Sequence, residues 1–311
     1  MMRLFTAVLL VAACDRAHRE APAPPPPATT AAPPRVTSSE PARPGCTLAV
    51  NPKVAAGKRV IAIGDIHGDL AAARAALRAA GAIDSDDRWS GGDLVVVQLG
   101  DVLDRGGDES RILELFDRLE HEARAAGGAF VPLLGNHELM NAAHDFRYVT
   151  PAGMRDFDGQ RAAELGPGGT WAKRLAHHDV IAIVGDTVFS HAGVLGDWAL
   201  HVDDTNLSAR CWLDGQAPEP PAVLAADDGP VWTRALGMPG AADCAALDRA
   251  LAALGAKRMV VAHTVQERGI DSDCDGKLWR IDVGLAKLYG GPIEVLSIEA
   301  GEAKVVRGTR E

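Results

Sequence analysis

The chain has 311 residues, 47% of them hydrophobic and 24% charged, with a formal net charge of -10. That length and apolar content suit a folded domain with a large core and exclude a fibre or a wholly disordered chain. The acidic balance excludes a general affinity for nucleic acid, whose phosphate backbone is held by a surplus of Lys and Arg.

The first element is the apolar run Leu4 to Ala13, preceded by Met1-Met2-Arg3 and ended by Cys14. One positive charge ahead of a short apolar segment with small residues at its end predicts an export signal, too short to span a bilayer. The string LVAAC resembles the lipobox of bacterial lipoproteins, which implies a signal peptide over residues 1–13 and a diacylglycerol-modified thiol at Cys14. The alternative is an ordinary signal cut by a soluble peptidase, with Cys14 incidental. Nine of the 19 prolines fall between Pro22 and Pro44, so residues 14–45 lack amide donors and apolar bulk and are expected to form an extended tether. The expected location is the bacterial cell envelope, anchored to a membrane through Cys14, with the periplasmic face of the inner membrane favoured over a soluble periplasmic form. Residues 46–311 are expected to form the catalytic domain.

From residue 46 short apolar runs alternate with helical patterns. Strands are expected at Arg59 to Ile63, Leu94 to Leu99 and Phe130 to Leu134, with helices at Leu70 to Ala80 and Ser110 to Ala126 between them. This spacing implies parallel strands with right-handed crossovers. The second half is richer in strands, at Val180 to Val184, Val188 to Ser190, Met259 to Ala262, Leu278 to Val283, Ile293 to Ile298 and Lys304 to Arg307. Helices are expected at Gly153 to Leu165 and Ala242 to Leu254. With Cys14 lipidated, four cysteines remain in an exported chain, where disulfides persist. Cys244 at a helix start and Cys274 in the loop after the next strand fall at the same end, so they are expected to pair, leaving Cys46 with Cys211.

The strand ends carry the chemistry. The first is followed by GDIHGD, the second by GDVLDRGG and the third by GNHE. Each stops at a glycine, where the backbone can turn sharply, and a potential metal ligand follows at once. Two later strands end in Ser190-His191-Ala192-Gly193 and Ala262-His263-Thr264. In open α/β sheets ligands collect outside the strand carboxyl ends. The set Asp65, His67, Asp101, Asn136, His191 and His263 is too large for one catalytic ion with an open position, but suits two cations sharing a carboxylate. Such a pair acts on an in-line displacement at phosphorus, and imidazole-rich ligation favours transition metals over Mg or Ca.

In this order GDIHG, GDVLDRG, GNHE, HAG and the later HT resemble the phosphoprotein phosphatase branch of the calcineurin-like metallophosphoesterases. GNHELMN, SHAGV, GPVWTR and LWRIDVGLAKLYGG resemble its bacterial Shewanella-like protein phosphatases, over nearly the whole folded part. The resemblance implies a layered α/β/β/α sandwich with a dinuclear metal site at the strand carboxyl ends. It implies Asp65 and His67 on a first ion, Asp101 between the ions, and Asn136, His191 and His263 on a second, with Mn favoured over Fe or Zn. His137 is then a general acid that does not ligate, acting on an ester attacked by a metal-bridging hydroxide, and Asp104 its carboxylate partner. Arg105 and Arg234 offer forks for phosphate oxygens, with Asn136 beside them. The implied substrate is a phosphorylated protein, at tyrosine or at serine and threonine, or a small phosphomonoester. A dinucleoside tetraphosphate hydrolase and a non-catalytic envelope lipoprotein of the same fold are the alternatives. Glu138 is read as a charge at a helix start without catalytic duty, and Tyr289 as structural rather than pocket-lining.

Overall fold

The computed structural model describes residues 46–310; the expected export signal, Cys14 and the tether lie outside the described residues. In chain order the elements are β1 (Lys53–Val54), β2 (Arg59–Ile63), α1 (Leu70–Ala80), β3 (Val95–Gln98), α2 (Glu109–Ala125), β4 (Ala129–Pro132) and α3 (Asn136–Ala142). There follow α4 (Arg161–Leu165), α5 (Thr170–Leu175), β5 (Ile181–Val184), β6 (Thr187–Ser190), α6 (Val202–Leu213) and α7 (Cys244–Leu254). The chain closes with β7 (Arg258–Val261), β8 (Asp271–Asp273), β9 (Leu278–Arg280), β10 (Glu294–Glu299) and β11 (Glu302–Arg307).

The strands form two sheets, one in the order β1-β5-β6-β7-β9-β8 and one in the order β11-β10-β2-β3-β4. The inner strands are apolar on both faces because both faces are covered, whereas the edge strands β8 and β11 carry polar residues and are partly exposed. The pleat sorts the apolar residues. Val60 and Ala62 of β2, Val95 and Val97 of β3, Ala182 and Val184 of β5, Phe189 of β6, Val260 of β7 and Leu296 and Ile298 of β10 make one apolar cluster between the sheets. Their neighbours Ile61, Ile63, Val96, Ile181, Val188, Met259, Val261 and Val295 belong to the cluster shared with the helices. Alternate side chains of a strand face opposite ways, so this division is what an α/β/β/α sandwich requires. Helix α1 packs on β10 and α2 on β4, while α6 packs on β5. Each large side chain buried here contributes about 1.5–3 kcal/mol.

Each sheet contains a triplet of parallel strands: β2, β3 and β4 in one, and β6, β7 and β9 in the other. Their carboxyl ends open towards the same region. Helix α1 begins where Asp69 accepts the amide of Ala72 at 2.9 Å and ends at Gly81, whose φ of 71° closes it. Cys46 is bonded to Cys211, and Cys244 to Cys274.

Some expectations need correction. Gly153 to Leu165 is not one helix. Phe157 and Asp158 take φ of 55° and 54°, so a short 3-10 turn precedes the five residues of α4. The strand expected to run to Leu134 ends at Pro132, and Asn136, His137 and Glu138 form the first turn of α3.

Candidate active site

Six loops meet at the mouth of the two parallel triplets. The turn after β2 brings Asp65 and His67, the loop after β3 brings Asp101, Asp104 and Arg105, and α3 brings Asn136 and His137. From the other sheet come His191 after β6, His263 after β7 and Asp282 after β9. Glycines permit the approach: a Cβ on Gly135 would strike the Asp101 carboxylate, and one on Gly100, at φ 84°, the Gly135 backbone. Five of the polar residues, His67, Asp101, Asp104, Arg105 and His263, have φ between 47° and 68°. Each such residue stores roughly 1–3 kcal/mol of backbone strain, which surrounding packing must hold in place.

Asp101 is the centre. Its Oδ2 stands 3.3 Å from His191 Nε2, 3.7 Å from His137 Nε2 and 3.9 Å from His67 Nε2, and only 2% of the residue is exposed. Backbone carbonyls fix two of those rings: His191 Nδ1 is 2.7 Å from Leu99 O and His67 Nδ1 is 3.0 Å from Leu103 O. With the proton on Nδ1, each Nε2 turns a lone pair towards Asp101, the arrangement of a metal-binding imidazole with its outer hydrogen bond. His263 Nδ1 lies 3.1 Å from His191 Nε2, and Asn136 Oδ1 3.0 Å from the same atom, its amide nitrogen being taken by Met140 Sδ. Asp65 Oδ2 is 3.8 Å from His67 Nε2. Two groups of potential ligand atoms result, His67, Asp101 and His137, and Asp101, His191 and His263, each within 4.8 Å of one another and joined through Asp101.

The electrostatics suit cations. Burial lowers the pKa of His67 to about 4 against the pull of Asp101, and burial with the neighbouring His191 lowers that of His263 to about 3. Both rings keep their lone pairs at neutral pH. Burial resists a proton on His191 and on His137, but the Asp101 charge outweighs it and raises both. Burial works against ionisation of Asp101, yet the adjacent His191 and His137 hold its pKa well below the ordinary value. Burial pushes Asp65 upward, helped by the charges of Asp282 and Asp101, and burial pushes Asp282 up as well. Three buried carboxylates beside the neutral rings of His67 and His263 call for positive charge, and the residues present fit a pair of divalent ions.

Around this centre a second set of contacts is rigid. His137 Nδ1 lies 2.6 Å from Asp104 Oδ2. Asp104 Oδ1 accepts from Asn141 Nδ2 and Arg161 Nη2, both at 2.8 Å. Glu138 accepts the amides of Asp101, Val102, Leu103 and Gly135 at 2.8–3.1 Å, so this carboxylate clasps the loop after β3 to the start of α3. Arg105 stands at the rim, its Cζ 4.8 Å from the Tyr148 ring centre and 5.6 Å from that of Tyr289, with Nε buried and unbonded. Arg234 is exposed and donates to Thr264 Oγ1 at 3.1 Å, next to His263.

All ten candidate residues therefore lie in one region, Arg234 at its edge. Tyr289 is corrected from structural to pocket-lining: it is 37% exposed and its ring centre is 5.6 Å from that of His67. Missed were Tyr148, Asn141, Arg161 and Asp282. Asp282 and Asn141 had a signal, since they stand in the strings LWRIDVGLAKLYGG and GNHELMN. Tyr148 and Arg161 stand in no such string.

A two-sheet sandwich with two joined groups of potential cation ligands at its strand ends has the make-up of a metallophosphoesterase. Residues 58–267 match the calcineurin-like phosphoesterase family, and the chain belongs to that family as a metal-dependent phosphatase. Among its relatives, Shewanella-like protein phosphatase 2 of Arabidopsis thaliana is 39% identical over 78% of this chain and 75% of its own. Shewanella-like protein phosphatase 1 of Plasmodium berghei is 31% identical over 80% of this chain and 74% of its own. The crystal structure of a cold-active protein-tyrosine phosphatase from a psychrophilic Shewanella species superposes with a TM-score of 0.71 at 26% identity, covering 83% of each chain.

Proposed function

We propose that the chain is an exported, manganese-dependent phosphoprotein phosphatase that prefers phosphotyrosine. The observation that carries the metal assignment is Asp101, one carboxylate facing ring nitrogens of both sheets. Asp65 and His67 would hold a first ion and Asn136, His191 and His263 a second, with Asp101 between the two groups. Bound there, two ions supply Lewis-acid activation of water and neutralise charge at phosphorus. The protein's own groups do the rest. Arg105 and Arg234 pair with phosphate oxygens and stabilise their charge in the transition state. His137, with Nδ1 on Asp104, presents Nε2 to the leaving oxygen and gives it a proton.

Two observations support an aryl ester. The similar solved structure is by name a protein-tyrosine phosphatase. This chain has two tyrosines in all, and both flank the candidate phosphate-binding Arg105 with exposed rings on which a phenyl leaving group can stack. Export by the signal of residues 1–13, lipidation at Cys14 and a periplasmic location are supported by the LVAAC string and by two disulfides, which persist in an oxidising compartment. Labelling of the full chain, but not of Cys14→Ser, by a radioactive fatty acid tests the anchor.

The decisive experiment is steady-state kinetics of His137→Asn with metal analysis. Both ions should stay while kcat for a phosphotyrosine peptide falls about 10²–10⁴-fold; loss of an ion would make His137 a ligand instead. Tyr289→Ala should raise KM for phosphotyrosine peptide about tenfold, the loss of one aromatic stacking contact, and leave phosphoserine peptide unchanged. Equal effects would remove the aryl preference, and faster turnover of diadenosine tetraphosphate than of either peptide would replace the proposal with a phosphoanhydride hydrolase.

A further inference from the structure

Arg161 is an arginine in the wrong place for a surface helix. It belongs to α4, 57 residues after Asp104 in the chain, and is 1% exposed. Its Nη2 lies 2.8 Å from Asp104 Oδ1 and 2.6 Å from Glu109 Oε2, its Nη1 donates to Gly153 O at 3.1 Å, and its Nε to Asn141 Oδ1 at 2.8 Å. Three charged groups buried together gain little stability, because the cost of drying them offsets their attraction. Their contribution is direction.

The two oxygens of Asp104 have separate tasks. Oδ2 faces His137 Nδ1, and Oδ1 receives Arg161 and Asn141. A carboxylate held by one oxygen alone is free to turn about its Cβ–Cγ bond; held by both it is not. Arg161 also settles the neighbouring amide. By donating to Asn141 Oδ1 it turns Asn141 Nδ2 towards Asp104 Oδ1 and the carbonyl of His137, 2.8 and 2.9 Å away. The grip passes from α4 through Asp104 to the imidazole.

We propose that Arg161 is a positioning residue for the proton donor: through Asp104 and Asn141 it fixes the His137 ring with Nε2 directed at the leaving oxygen. The inference rests on the reading of His137 as general acid. A displaced donor matters only when the leaving group needs a proton. Phenolate does, and p-nitrophenolate departs without one, so the two esters separate positioning from mere structural support.

The test is kcat of the full chain with manganese on phenyl phosphate and on p-nitrophenyl phosphate, for Arg161→Gln, Arg161→Lys and His137→Asn, each checked for a cooperative melt and metal content. Arg161→Gln should lose about 10²-fold on phenyl phosphate, the cost of a misplaced catalytic group, and no more than about threefold on p-nitrophenyl phosphate. Arg161→Lys, which keeps the charge and loses the fork, should fall between Arg161→Gln and the parent, and decides the matter if the glutamine variant does not fold. Equal losses on both esters in a folded variant overturn the inference. If His137→Asn itself shows no difference between the esters, the acid role fails first; if it does and the arginine variants do not, the positioning role alone fails.

Discussion

The two sheets feed the site differently. The β2, β3 and β4 side delivers tightly interlocked loops, with left-handed backbone at His67, Asp101, Asp104 and Arg105 and four amides clasped by Glu138. The β6, β7 and β9 side delivers single residues, His191, His263 and Asp282, directly from strand ends. His191 has its ring set by the Leu99 carbonyl on Nδ1, with Asn136, His263 and Asp101 around Nε2. On the proposed reading, the loop side supplies ligands, Arg105 and the proton donor, while the other side supplies ligands alone, of which His263 is also left-handed. The group that must be aimed, His137, sits where many contacts specify the backbone.

Three substitutions break or sharpen this contrast. The largest effect belongs to Asp101→Asn, which removes the group common to both sides: metal analysis should find neither site filled at stoichiometric manganese, and kcat/KM should fall more than about 10³-fold. Retention of two ions per chain would deny that Asp101 is shared. Next, His67→Asn and His263→Asn should each leave about one ion, as expected for loss of one ligand from one of two sites. Because His67 lies in the interlocked loop, its variant should also lose more of its melting temperature than the strand-end variant does. Identical melting shifts would show that the two sides are equally rigid. The smallest effect on turnover is expected for Cys244→Ser with Cys274→Ser, which removes a bond across a sequence separation of 30 that joins the start of α7 to the end of β8 at the edge of its sheet, outside the site. Stability should drop by about 2–4 kcal/mol in denaturant titration with kcat within about twofold, since that side is held by its strands. A large loss of kcat would tie that edge to the site.

The sequence is most legible on the loop side. There the motifs follow apolar runs, as Val60 to Ile63 before Gly64, broken only by Gln98 in the second, and α1 shows its cap at Asp69 and its stop at Gly81. On the other side the helix Val202–Leu213 is hidden because polar residues face inward. Thr205 and Asn206 are buried, Asn206 because it accepts the amides of Val180 and Ile181 and donates to the Ile181 carbonyl. A buried polar residue satisfied by a neighbouring strand erases the apolar period that marks a helix. The same reason conceals Arg161: its partners Asp104 and Glu109 are far away in sequence, and only the closed fold shows that its charge is paired. Tyr148 and Tyr289 are legible as rare residues but not as neighbours, because 141 positions of chain separate them.

Asn136, His137 and Glu138 make up a single helical turn; Glu138 reaches a bundle of main-chain amides, and on the proposed reading Asn136 serves a cation site and His137 the leaving oxygen. No hinge lies between them, so the turn can move only as a block. A small tilt of α3 would therefore detune ion affinity, proton delivery and loop anchorage in one stroke. Variation in this short stretch of chain is all-or-none in its consequences, and graded adjustment of the enzyme has to come from the rim, where Tyr148, Tyr289 and Arg234 stand apart.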